Sequence, residues 1–439
     1  MNNFLITATV VFGIVMLLGY LNERFFHLTY EISLLLGAIA VGGILTLLHN
    51  VFTGPVMNDI VNTVQILDVE RFLMKGVLCF MLFAGACHMD LSQFHKHARP
   101  VCVLSFVVTG LGAVFYAFAF YAVSLIFGLS FTIPECLMFG SIIAPTDPIA
   151  ATSILKKFGF PKDTGFLMEA ESLLNDGVGV ALFVVFSGLV TSSSTAEGTL
   201  FKVLLEDTLG LNGLFMIMIR EILGALIICT IVFVITFFIF GRLENENLQI
   251  MVSLFAVSCI FCLCEFVGCS GPIACVVYGV QFFSMRGRRE RQGKKWDLEG
   301  FDKFWESIDS ILNSTLYVML GLSFIKIHVM PGVGLFSMCA VFCALISRFV
   351  SVWIGAQMLG PIPDKYSKNE FSVLFTWGGL HGGLCIALAM DTASMLEPEK
   401  FYIVMACTYA VVFFTTVVQG LTMKKVYNSI NKAKLKNAG

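Results

Sequence analysis

Long apolar stretches recur along almost the whole chain, and they decide its fold class. A bilayer core about 30 Å thick needs roughly 20 apolar residues per helical crossing. Stretches near that length run at 4–21, 31–48, 70–88, 101–127, 134–155, 167–191, 213–240, 248–267, 271–285, 308–326, 332–359, 371–391 and 401–423. The 439 residues are 57% hydrophobic and 13% charged, where soluble domains carry about 25% charged residues. Only helices and closed barrels satisfy their own backbone in hydrocarbon, and the two-residue alternation of barrel strands is absent. The predicted fold is an all-α polytopic membrane protein of about thirteen transmembrane helices. The eighth and ninth stretches are parted only by Gly268-Cys269-Ser270, with Gly271 opening the ninth.

Charge sorts the loops. With thirteen spans, Lys96 and Arg99, Lys156, Lys157 and Lys162, the run from Arg286 to Lys295, Lys365 and Lys368, and the lysines after Met423 fall on one side. The positive-inside rule then predicts a cytoplasmic C-terminus and an outside N-terminus. A twelve-span count would scramble this sorting. The start Met1-Asn2-Asn3 lacks the basic residues of a signal peptide. The cysteines, including Cys259, Cys262, Cys264, Cys269 and Cys275, read as small packing residues rather than a metal site. Residues 286–295 read as a topology signal and lipid-headgroup contact, not a nucleic-acid patch. Segment 200–209 reads as amphipathic and surface-lying. Arg220-Glu221 reads as a local pair, and Glu265, Lys75 and Lys326 as packing or snorkelling groups.

Polar groups inside the apolar stretches carry the functional signal. A charged group at the centre of a membrane helix costs roughly 2.5–3.5 kcal/mol on insertion scales, and such groups mark ion or proton paths. In the fifth stretch, Ala144-Pro145-Thr146-Asp147-Pro148 holds two prolines that break a helix. Freed carbonyls, the Thr146 hydroxyl and the Asp147 carboxylate make hard-oxygen ligands for a small cation; the plainer reading is a proline kink with a capping Asp. The sixth stretch opens with Glu169-Ala170-Glu171-Ser172-Leu173-Leu174-Asn175-Asp176-Gly177. Ser172 and Asp176 share a helix face at four-residue spacing. Glu171 points elsewhere, and Glu169 reads as a helix-start acid complementing the dipole. Arg348 in the eleventh stretch needs an anion at depth, and Glu171 is the natural one. In the twelfth, Trp377-Gly378-Gly379-Leu380-His381-Gly382-Gly383 carries enough glycine to break a second helix, with tight small-residue packing as the other reading. His381 reads either as a pH-responsive group or as a hydrogen-bond donor in that break.

The broken stretches are the fifth and the twelfth. If 1–6 and 8–13 form two inverted six-helix repeats, these two discontinuous helices are equivalent and cross at the midplane, where inverted-repeat transporters bind ions.

At these residues the chain resembles the NhaP/NHE-type sodium/proton antiporters of the Asn-Asp motif type. The resemblance rests on Ala144 to Pro148, Glu171 to Gly179, Arg348 and Trp377 to Leu380, and it spans essentially all stretches in order. It implies a homodimer. Residues 1–95 and 248–328 would hold the dimerisation helices 1–3 and 8–10, and 96–192 and 329–423 the moving core helices 4–6 and 11–13. Residues 193–247 would be a surface segment and linker helix 7, and 424–439 a short basic tail. It implies Asp176 as the shared cation/proton carboxylate, with Na+ at Asp176, Ser172 and Thr146. Asp147 and Asn175 would shape the site, Glu171 and Arg348 would form a structural ion pair, and Pro145, Pro148, Gly379, Gly382 and His381 would belong to the breaks. The family commonly has Arg where this chain has His381.

The expected activity is electroneutral exchange of Na+ or Li+ for H+ in a bacterial inner membrane, with neither cofactor nor enzymatic function and no nucleic-acid partner. K+/H+ exchange on the same fold is the alternative. A cation channel, or an intramembrane aspartyl protease using Asp147 and Asp176, fits the broken helices and the Arg-compensated Glu less well.

Overall fold

A computed structural model describes residues 3–51, 69–87, 89, 91–147, 161–193, 211–243, 245–291, 298–323 and 332–437. Pro148, Lys156, Lys157, segment 200–209 and Lys326, all singled out in the sequence, lie outside these residues, as does the side chain of Lys75.

The described residues are almost entirely helical. They form α1 (Asn3–Leu21), α2 (Tyr30–Val51), α3 (Leu78–Cys87), α4 (Leu91–Cys102), α5 (Thr109–Ile126), α6 (Ile133–Ile143), α7 (Lys162–Ser193) and α8 (Leu211–Phe240). There follow α9 (Glu246–Val267), α10 (Gly271–Arg291), α11 (Glu299–Ser323), α12 (Val333–Met358), α13 (Lys368–Trp377), α14 (Gly383–Asp391), α15 (Pro398–Phe413) and α16 (Gly420–Asn437). Wider π-helical turns join α4 to α5 at Val103–Val108 and α15 to α16 at Phe414–Gln419. Seven of the described helices are long and apolar enough to cross a membrane by length and composition. The others include Ile133–Ile143 and Gly383–Ser394. An 11-residue helix such as α6 is only about 16 Å long, half a bilayer core. These short pieces belong to the two interrupted stretches.

Local chemistry fixes the helix ends. α6 opens with a capping box between Thr132 and Glu135, and Lys400 on α15 donates to Glu135 at 2.9 Å. α13 opens with a second box, Ser367 with Glu370. α9 ends at Gly268, whose φ of 76° suits glycine, so α9 and α10 part in a tight turn.

Two sets of helices pack most heavily within themselves. In one, α6 lies against α5 and α7, and α12 against α5 and α15. In the other, α11 lies against α2, α10 against α3, and α8 against α9 and α10. Small residues permit the closest approaches: a side chain at Gly321 on α11 would collide with Ala38 on α2, and one at Gly279 on α10 with Ala86 on α3. Across the two sets, α7 touches α10 and α11 touches α14.

Candidate functional site

The interrupted helices meet at their breaks. After Ile143 the chain leaves helical geometry through Ala144 to Asp147, and between Trp377 and Gly383 it does so again. The Asp147 N–H donates to the Leu380 carbonyl at 2.6 Å, so the breaks touch backbone to backbone. Other freed groups find hydroxyls and a thiol, as membrane depth requires. The His381 N–H donates to Thr415 at 3.1 Å, the His381 carbonyl accepts from Thr416 at 3.1 Å, and Cys385 lies 3.6 Å from the Pro145 carbonyl.

α7 runs past this crossing and supplies the second half of the site. It holds Asp176 mid-way along its 32 residues, far from any helix end. Thr146 and Ser172 bring their hydroxyls within 3.0 Å of each other. Asn175 donates to the Thr146 hydroxyl at 2.8 Å and accepts from the Thr146 N–H at 3.2 Å. Thr146, Ser172 and Asn175 are all buried. Asn175 thus clamps the broken stretch to α7 and aims the hydroxyls.

A cavity of about 260 Å³ opens beside this cluster. Pro145, Thr146, Asp147, Asp176, Gly382 and Cys385 line its inner part, and Glu169, Asp309 and Asn313 line it further along α7 and α11. Among the described residues, no Lys, Arg or His forms an ion pair with Asp176. Asp147 accepts a 2.5 Å hydrogen bond from the Tyr317 hydroxyl. Its carboxylate also lies against Gly382, just ahead of α14, where the helix dipole favours negative charge.

A methyl at Gly382 would overlap the Asp147 carboxylate. Gly382→Ala is therefore expected to displace Asp147 and cut cation-driven proton movement in proteoliposomes at least tenfold, while expression is retained. Wild-type rates in this variant would show that the close approach is dispensable.

The Glu171–Arg348 pair occupies a different place. Arg348 donates to Glu171 at 2.6 Å, and both are buried, at 8% and 2% exposure. Gly379 lies against the Arg348 guanidinium, where a Cβ would come within 2.9 Å of Nε. His381 lines a small separate cavity with Arg348, Thr109 and Tyr116 rather than the main one. The structure thus gathers Thr146, Asp147, Ser172, Asn175 and Asp176 around one crossing, and sets Glu171, Arg348, Gly379 and His381 behind it.

One reading changes. Glu169 is not a helix-start acid: α7 begins at Lys162, so Glu169 sits in its third turn, facing the main cavity. The helix extends farther toward its N-terminus than its apolar residues do. Arg220 and Glu221 do lie together, 3.9 Å apart, and Glu221 is the buried member. Sequence reasoning passed over Asp309, Asn313, Tyr317, Thr415 and Thr416. Asp309, Asn313 and Tyr317 recur at four-residue spacing, one helix face, and that polar stripe was the available signal. The adjacent threonines gave none, because a hydroxyl inside a helix commonly bonds its own backbone, as Thr415 does to Val411.

A family model described as sodium/hydrogen exchanger, transmembrane, matches residues 13–428. The chain belongs to this exchanger family. The Na(+)/H(+) antiporter NhaP of Pseudomonas aeruginosa is 28% identical over 422 residues, covering 93% of this chain and 92% of its own length. NhaG of Bacillus atrophaeus is 27% identical, covering 88% and 68%. The solved sodium proton antiporter MjNhaP1 from Methanocaldococcus jannaschii superposes with a TM-score of 0.70 over 98% of this chain and 99% of its own, at 17% identity. At that identity the likeness speaks for the fold. This family member is a multi-pass membrane protein, and the crossed breaks lie within the matched region.

Proposed function

We propose that this chain is a secondary antiporter exchanging Na+ or Li+ for H+, one for one, by alternating access. The observation that carries this reading is the placement of Asp176: mid-helix on α7, unpaired by any described cation, in one cavity with the two crossed helix breaks. Asp176 supplies the charge, and the Ser172 and Thr146 hydroxyls supply neutral oxygens suited to a small hard cation. Asn175 and Asp147 shape the site, and the Glu171–Arg348 pair stiffens the core behind it.

Coupling follows from electrostatics. A lone carboxylate is costly to carry through a low-dielectric barrier. Either a proton or a sodium ion neutralises Asp176, and each excludes the other. Only the loaded site crosses cheaply, so exchange needs no separate coupling device. With a single net carboxyl charge turning over, and no second titratable charge from Asn175, the cycle is electroneutral.

Residues 96–192 and 329–423 form the moving core, and 1–95 with 248–328 the dimerisation half of a homodimer. The heavier packing within than between the two sets of helices supports this division, and thirteen spans arranged as inverted repeats fit the two crossed breaks. The C-terminus is cytoplasmic and the N-terminus outside, so the cavity reaches toward the cytoplasmic ends of α7 and α11. The bacterial relatives favour an inner-membrane location.

Reconstituted protein is expected to move protons against Na+ and Li+, with a rate unchanged by an imposed membrane potential. Dequenching of a pH dye between about pH 6.5 and 8.5, with Na+, Li+ and K+ compared, reads both points. Strong stimulation by potential would overturn electroneutrality. A response to K+ alone would make the protein a K+/H+ exchanger.

A further inference from the structure

Asp147 is held from several directions, and one of its contacts comes from the opposite set of helices. Its backbone N–H is bonded to Leu380, and its carboxylate rests against Gly382. Both belong to the second break, which would travel with Asp147 in any rigid movement of the core. Tyr317 instead projects from α11, which packs chiefly against α2 and α3. Its hydroxyl lies 2.5 Å from Asp147 Oδ2, and the residue is 1% exposed. A phenol donating to a carboxylate makes a charge-assisted hydrogen bond, stronger than one between neutral groups.

Tyr317 also lines a second cavity of about 140 Å³, with Tyr30, Glu31, Asp309 and Asn313. Asp147 lines the main one. Asp309 and Asn313 line both. Asn313 donates to the Asp309 carboxylate at 2.9 Å and to its carbonyl at 2.8 Å. The polar face of α11 is therefore internally tied, with Tyr317 at its inner end reaching across to the site.

We infer that Tyr317 is a positioning residue for the exchange site: its hydroxyl fixes the Asp147 carboxylate beside the bound cation and clasps the core in the conformation seen here. This rests on the antiport reading above. The clasp has two consequences. With Asp147 oriented, the oxygens around Asp176 are set before the cation arrives, which favours binding. The same bond spans the two helix sets, so it must part when the core moves and re-form on its return.

The test is the sodium dependence of exchange by Tyr317→Phe in proteoliposomes, with Asp176→Asn measured alongside. The phenyl ring keeps the packing and removes only the donor. Loss of a hydrogen bond to a charged group is expected to raise the KM for sodium on the order of tenfold, with the rate at saturating sodium retained or increased because the clasp no longer resists movement. Tyr317→His, which restores a donor, is expected to recover part of the loss. A merely structural role would lower the maximal rate at constant KM. An unchanged KM in Tyr317→Phe overturns the inference, whatever the maximal rate. If Tyr317→Phe does not yield folded protein, Tyr317→Leu, which also lacks a donor, is read instead, and a KM equal to the wild-type value overturns the inference. Persistent exchange in Asp176→Asn would reject the antiport site itself, and is distinguishable because it does not involve Tyr317.

Discussion

Asp176→Asn protein, reconstituted in vesicles, is expected to move no more protons in response to sodium than empty vesicles do. The amide matches the carboxylate in shape, so α7 and its contacts with the broken helices persist. What disappears is the group that a proton and a cation both neutralise. An amide oxygen can still touch a cation, but it cannot release a proton in exchange. The unloaded variant is also neutral, so it no longer has to bind before the core moves, and obligatory exchange is lost by the same change. Because Asp176 has no ion-pair partner among the described residues, removing its charge leaves no counter-charge stranded. The variant is therefore expected to remain monodisperse and to melt at or above the wild-type temperature, since burying a charge is costly. Sodium-dependent proton flux in a well-folded Asp176→Asn sample would reject Asp176 as the exchanging group.

Arg348→Ala is expected to show the opposite pattern, a large loss of stability. Arg348 and Glu171 are both buried and joined at 2.6 Å. Removing one member of such a pair costs about 3–5 kcal/mol, because the other is left buried and uncompensated. Glu171 adjoins Ser172 on α7, so relaxation there would also move the hydroxyl that faces Thr146. Glu171→Gln with Arg348→Met together, which removes both charges and keeps volume, is expected to be more stable than Arg348→Ala alone. Thermal unfolding in detergent, with Asp176→Asn as reference, checks the ranking. Equal melting temperatures for Arg348→Ala and wild type would remove the pair from its structural role.

These two variants separate jobs that look alike in the sequence, where Glu171 and Asp176 are five residues apart in one polar run. Helical geometry alone turns them to different faces, which is why the sequence suffices to match Arg348 with Glu171. The breaks are equally legible. Two prolines around Thr146-Asp147, and the glycines between Trp377 and Gly383, cannot sustain helical hydrogen bonding, and the chain leaves the helix at both places. Glu169 departs from its expected role because apolar periodicity marks where a helix enters the membrane, not where it begins. Asp309, Asn313 and Tyr317 escape notice because each is an ordinary polar residue in the first half of an apolar stretch, and only proximity to Asp147 gives Tyr317 a task. His381 leaves two readings open in the sequence; its backbone is held by Thr415 and Thr416, on a helix whose sequence offers no sign of that contact.

The sequence alone determined that this chain is a helical membrane protein, which helices are broken, and which carboxylates stand at a cost inside apolar runs. Those properties follow from local chemistry: hydrophobic length, missing amide donors, and charge set in an apolar run. The tertiary structure decided which breaks touch, that Thr146 meets Ser172 and Asn175, that His381 stands behind the site rather than in it, and that Tyr317 reaches Asp147 from 170 residues away. Such contacts depend on how separate helices pack, and in a bilayer that packing is chosen by shape and a few hydrogen bonds, neither of which leaves a periodic mark in the sequence.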